Sequence, residues 1–155
     1  MAASVKDWRQ ALPIHVWMFE GNRRNFPGWH FTATRRSCEA VLELLALMRS
    51  APGPAEKELE VTPPNDAILA VPNNWAAGWW APRALIVRSA KGGAVSPDHW
   101  RLSLHGDVLT LVASAEQLAH VQAGVMDVAV GEGDYSIGQG DEQLWFWWYP
   151  ASKRD

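Results

Sequence analysis

Leu144-Trp145-Phe146-Trp147-Trp148-Tyr149 is an unbroken run of six large apolar residues, and it decides how the rest of the chain is read. Six residues in extended form span about 20 Å, a full strand. Alternation puts Leu144, Phe146 and Trp148 on one face and Trp145, Trp147 and Tyr149 on the other, so neither face is polar. Such a strand is covered on both sides, or covered on one and open to a ligand or partner on the other. The run is therefore expected to be a central strand, added last to a sheet.

Upstream of it, residues 131–140 form a polar loop punctuated by glycine. Further upstream, Ser114-Ala115-Glu116-Gln117 fits a capping box and opens a helix of about 115–127, with Leu118, Val121, Gln122 and Val125 on one face. Gly124 weakens that helix by up to about 1 kcal/mol relative to alanine. Before it, Trp100-Arg101-Leu102-Ser103-Leu104 alternates strictly, His105-Gly106-Asp107 turns, and Val108–Val112 returns, which predicts a β-hairpin.

The first half reads in the same terms. Residues 14–19 and 29–33 alternate as two antiparallel strands around a 20–28 loop. Cys38, Val41, Leu42, Leu45 and Met48 recur at helical spacing over 36–50, after Thr34 or Ser37 as N-cap and before the Pro52-Gly53-Pro54 stop. Short strands are expected at 59–62, 67–71 and 83–88, with 75–82 an irregular loop carrying Trp75, Trp79 and Trp80. Together the order predicts an α+β fold. It is a single domain over 1–155, with a mostly antiparallel twisted sheet of about 6–8 strands and two helices packed on it. The lead-in 1–13, where Trp8 and Leu12 can pack as a flap, and the tail 151–155 are expected to be loosely ordered.

Composition excludes several function classes. With 14 basic and 17 acidic residues the net charge is −3, which gives no reason to expect a nucleic-acid partner. No run approaches the roughly 18 apolar residues of a membrane span, so no membrane partner is expected. With no signal-like segment at the start, a cytoplasmic location is the simplest expectation. A single cysteine, Cys38, excludes an internal disulfide and every multi-cysteine zinc motif. On the apolar stripe it reads as a small core hydrophobe rather than a nucleophile paired with histidine.

No hydrolase, metalloprotease or phosphate-loop motif occurs, so no catalytic residue, metal or cofactor is assigned. The glycines of 131–140 lack dinucleotide-loop spacing and precede a strand. His15 and His30 fall on neighbouring predicted strands and could converge as an acid–base or metal pair, although two half-buried imidazoles are the plainer reading.

What stands out is ten tryptophans in 155 residues. Each brings a large apolar surface and one N–H that needs a partner when buried, so some are expected to line a pocket or an interface. The candidate binding residues are Trp75, Trp79, Trp80, Trp145 and Trp147, with Glu132, Asp134, Tyr135 and Ser136 of the acidic loop. The expected function is a non-enzymatic protein that recognises another protein, in a toxin-neutralising or regulatory role. The alternative is a small-molecule binder with a Trp-lined pocket for a sugar or a flat apolar ligand, and the third reading is an enzyme with a dispersed site.

Overall fold

A computed structural model describes residues 4–20, 27–72, 78–133 and 135–150. In chain order the elements are β1 (His15–Glu20), β2 (Trp29–Thr32), α1 (Arg35–Ser50), β3 (Glu56–Glu60), α2 (Asp66–Ala70), β4 (Gly78–Trp80) and β5 (Ala84–Ala90). There follow β6 (Trp100–His105), β7 (Val108–Ser114), α3 (Ala115–Ala129), β8 (Tyr135–Ile137), a single 3-10 turn (Gly140–Glu142) and β9 (Leu144–Phe146).

The fold is mixed α+β, but the expected single sheet is two. A five-stranded sheet runs β4-β1-β2-β9-β8 and a four-stranded sheet runs β3-β5-β7-β6. Each contains one parallel pair, β2 with β9 and β5 with β7, so neither is purely antiparallel. The division has a packing reason. Val16, Phe31 and Phe146 of the first sheet meet Leu59, Val87, Leu109 and Leu111 of the second in one apolar cluster, closed by α1 and α3. One continuous sheet of this many strands would present two long faces, more than two helices can cover.

Local signals place the long helices. Thr34 Oγ1 accepts the Ser37 N–H at 3.2 Å to cap α1, and Ser114 Oγ accepts the Gln117 N–H at 3.1 Å to cap α3. Both helices turn an apolar stripe inward, with Cys38, Leu44, Leu45 and Met48 of α1 and Leu118 and Val128 of α3 essentially inaccessible. The β6–β7 hairpin forms as expected, with Gly106 at φ 63° in its turn.

Four expectations are corrected. Residues 67–71, expected as a strand, lie largely in α2, because Asn65 Oδ1 accepts the Ile68 N–H at 2.9 Å and caps a helical turn after Pro63-Pro64. The loop expected at 75–82 contains β4, which pairs with β1 as an edge strand, while residues 73–77 lie outside the described part. The strand expected at 59–62 instead spans Glu56–Glu60, where Glu56, Glu58 and Glu60 alternate with Lys57 and Leu59. Only Leu144–Phe146 of the terminal run is strand. Beyond it the Trp147 N–H bonds Phe31 O at 3.0 Å and the Thr32 hydroxyl donates to Trp147 O at 2.7 Å, drawing the chain along β2. The strand keeps an interior place between β2 and β8.

The lead-in, expected to be loose, is pinned. Trp8 is buried and its indole N–H donates to Ala40 O on α1 at 3.0 Å. Lys57 and Gln10 add bonds between the lead-in and the free edge of β3. The tail 151–155 and most of the 20–28 loop lie outside the described residues. No described helix is long and apolar enough to cross a membrane.

Candidate functional site

Most of the described tryptophans fall on the two faces of the first sheet, Trp8 of the lead-in and Trp100 of β6 apart. Its inner face carries Val16, Phe31, Leu144 and Phe146 into the core, and Trp80 and Tyr135 pack on the same cluster. Trp80 meets Trp29 at 6.2 Å between ring centroids, and Tyr135 meets Phe146 at 5.9 Å. The outer face carries a cross-strand ladder. Trp17 stacks on His30 at 5.4 Å, His30 on Trp147 at 6.2 Å, and Trp147 on Trp145 at 5.7 Å, all within about 21° of parallel. Ile68 and Leu69 of α2, with Trp148 and Tyr149, close over it.

The ladder is polar-satisfied almost throughout. The Trp147 indole N–H donates to His30 Nδ1 at 2.9 Å, which requires that nitrogen to be unprotonated. The Trp145 indole donates to Pro27 O at 3.0 Å. Trp17 Nε1 alone is buried without a partner among the described residues. Trp145 and Trp147 are thus engaged in holding the sheet, and of the nine described tryptophans Trp79, at 39%, is the most exposed.

The other candidates disperse. Trp79 pairs with Phe19 at the β4 edge. Between β4 and β9 lie β1 and β2, so Trp79 and Trp80 stand about 14 Å across the sheet from Trp145 and Trp147 at ordinary strand spacing. Ser136 Oγ accepts from the Gln143 side chain at 3.0 Å, and Glu132 is exposed just past α3. Trp75 and Asp134 lie outside the described residues.

His15 and His30 share the outer face without pairing to each other. His15 lies opposite Thr32 and His30 opposite Trp17. The His15 ring stacks on Tyr149 at 6.0 Å, and its Nδ1 is 3.0 Å from Thr62 O. Burial lowers its pKa, against the opposing pull of the Thr62 and Pro63 carbonyls, so the ring is neutral and Nδ1–H donates. Cys38 is inaccessible, and burial, helped by the Glu39 carboxylate, pushes its thiol up to about 12, which removes its value as a nucleophile. No group of three or more His, Cys, Asp or Glu is placed to hold a metal among the described residues.

The open surface lies elsewhere, on the second sheet. Its register sets three cross-strand rows on the face turned from the core: Glu56–Arg88–Val112–Arg101, Glu58–Ile86–Thr110–Ser103 and Glu60–Ala84–Val108–His105. Ile86, Val108 and Val112 are half-buried in its centre, while Glu56, Glu58, Arg88, Arg101 and His105 are exposed around them.

No protein-family model, curated protein or solved structure matches this chain.

The loop expected over 131–140 is interrupted by β8, and the acidic 3-10 turn Gly140–Glu142 that follows adjoins the same face. Glu142 reaches to 3.8 Å from the Arg101 guanidinium, and the Trp100 indole N–H donates to Glu142 O at 2.6 Å, joining the loop to the β6 edge. At the end of the strands marked by the Glu60–Ala84–Val108–His105 row, the face runs into an open cleft of about 570 Å³ whose walls include Glu58, Glu60, Pro63, Trp80, Pro82 and Asp107. A second hollow of about 310 Å³, bounded by Gln10–Pro13 and Thr62, shares Glu60 with it. Arg83 and Asp107 pair at 3.4 Å on the cleft rim, with both side chains more than half exposed, so the pair adds little stability. Glu58 and Glu60 have no ion-pair partner among the described residues. Sequence reading missed these groups, although the alternation Glu56-Lys57-Glu58-Leu59-Glu60 already sets three carboxylates on one face of a strand.

Proposed function

We propose that this chain is a non-enzymatic, cytoplasmic binding protein that recognises another protein through the outer face of its second sheet and the acidic loop beside it. The observation that carries the reading is the pattern of the three rows. Apart from Arg88 on β5, apolar or small side chains occupy the two middle strands, and charges of both signs stand on the outer strands β3 and β6. An apolar centre with a charged rim is the anatomy of a protein interface, whereas a sheet face built only to meet water alternates to polar residues throughout. A Trp-lined pocket for a sugar or flat ligand has less support, because the two aromatic concentrations lie apart in the sheet.

The test introduces a long charged side chain at the centre of the face. Ile86→Arg is compared with wild type and with Ala123→Arg, a control on exposed α3 surface. Proteins retained from a native-host lysate are purified and titrated by calorimetry. A partner that binds wild type and Ala123→Arg alike, and Ile86→Arg at least about tenfold more weakly, supports the reading. Equal retention by all three folded proteins, or no titratable partner, refutes it.

A further inference from the structure

We infer that the 570 Å³ cleft at the end of β3 and the start of β5 is an anchor site for a cationic side chain of the partner, an arginine in particular. The inference rests on the reading of the adjoining face as the binding surface, because Glu58, Glu60 and Ala84 belong both to the rows of that face and to the cleft wall. A partner seated on the rows therefore passes directly over the opening.

The lining supplies the two things an arginine needs. Trp80, Val61, Pro63 and Pro82 provide apolar surface for the aliphatic stem, and the indole can interact with a guanidinium through its π system. Glu58 and Glu60 project from the same side of β3, about 7 Å apart along the strand, and neither is engaged by a cation among the described residues. Asp107 is also in the lining, and Arg83, the one cation there among the described residues, is already paired with it. The planar guanidinium suits carboxylate and aromatic partners together better than a lysine ammonium does. The net charge of −3 favours approach of a basic partner over an acidic one.

The probe is Nα-acetyl-arginine amide, titrated into the full ¹⁵N-labelled chain and followed by the Trp80 indole N–H and the amides of Glu58, Glu60 and Arg83. Nα-acetyl-citrulline amide, its uncharged isostere, is the control. Saturable shifts confined to these groups with arginine and absent with citrulline are expected. Glu58→Gln and Glu60→Gln should each weaken the affinity by about two- to fivefold, and added salt should weaken it further. Equal shifts with citrulline, shifts spread over other surfaces, no shift, or unchanged affinity in the double variant overturns the site. If a partner is lost on Ile86→Arg but is indifferent to the double variant, the anchor fails and the proposed function stands. If arginine amide binds while no partner depends on Ile86, the cleft takes a free cation and the partner-derived source is overturned.

Discussion

Substituting Gly124 by alanine adds one methyl group at a point where α3 and β9 nearly touch. A Cβ built there would lie 2.6–2.8 Å from three carbons of the Phe146 ring. The ring cannot easily retreat, since it is 1% exposed and held by Phe31 at 5.7 Å and Tyr135 at 5.9 Å. Helix propensity favours alanine by about 1 kcal/mol, whereas forcing a methyl group into a filled core costs about 1–3 kcal/mol. The net effect is a loss of up to about 2 kcal/mol, seen as a melting temperature lower by up to about 8 °C for a chain of this length. Thermal melts followed by far-UV circular dichroism and tryptophan emission measure it. Phe146→Ala alone should cost about 3–5 kcal/mol. In that background Gly124→Ala meets no ring, so its sign should reverse and the pair should couple by about 1–3 kcal/mol. A single variant that melts at or above wild type, or a pair that does not couple, would show that helix and strand do not approach as described.

Three further outcomes follow from buried groups. Because His15 has a folded-state pKa below its ordinary value of 6.5, the unfolded chain binds the extra proton first. Its contribution is therefore full above about pH 6.5 and is lost as pH falls toward the folded value. Urea midpoints should drop over that window in wild type and drop less in His15→Gln, and identical slopes would contradict the assignment. Cys38, with its thiol raised to about 12, should contribute fully below its ordinary value of 9.0 and lose that contribution as pH rises through about 12. At neutral pH an aromatic disulfide reagent should label it no faster than the chain unfolds, and a burst of labelling in native buffer would refute its burial. Trp8→Ala removes a buried ring and its bond to Ala40 O, and should cost about 3–5 kcal/mol by urea unfolding. A neutral result there would return the lead-in to the status of a loose flap.

The candidate site was less legible than the fold, and for a definable reason. Tryptophan content signals that rings need burial or partners, but it does not say which. Trp145 and Trp147 find theirs in Pro27 O and His30 Nδ1, residues more than a hundred positions away. The residues of the proposed surface, Glu58, Ile86, Val108 and Val112, are ordinary strand residues. They become a surface only when β3, β5, β7 and β6 align in register. Gly124 shows the same limit from the core side: the sequence marks it as a weak helix position, and the Phe146 ring makes it a necessary one.

What the sequence by itself determined was local. The two long helices, the Ser114 cap, the β6–β7 hairpin, strands β1 and β2, and the burial of Cys38 follow from periodicity and short-range hydrogen bonding, while the choice of Thr34 over Ser37 as the first cap came with the structure. Only the tertiary structure decided that the strands divide into two sheets, that β2 pairs in parallel with β9 and β5 with β7, and that Leu144–Phe146 alone of the terminal run is strand. A period of two tells which side chains share a face. Which face meets the core is chosen by partners far along the chain, because strand pairing and close packing are long-range contacts that no local pattern encodes.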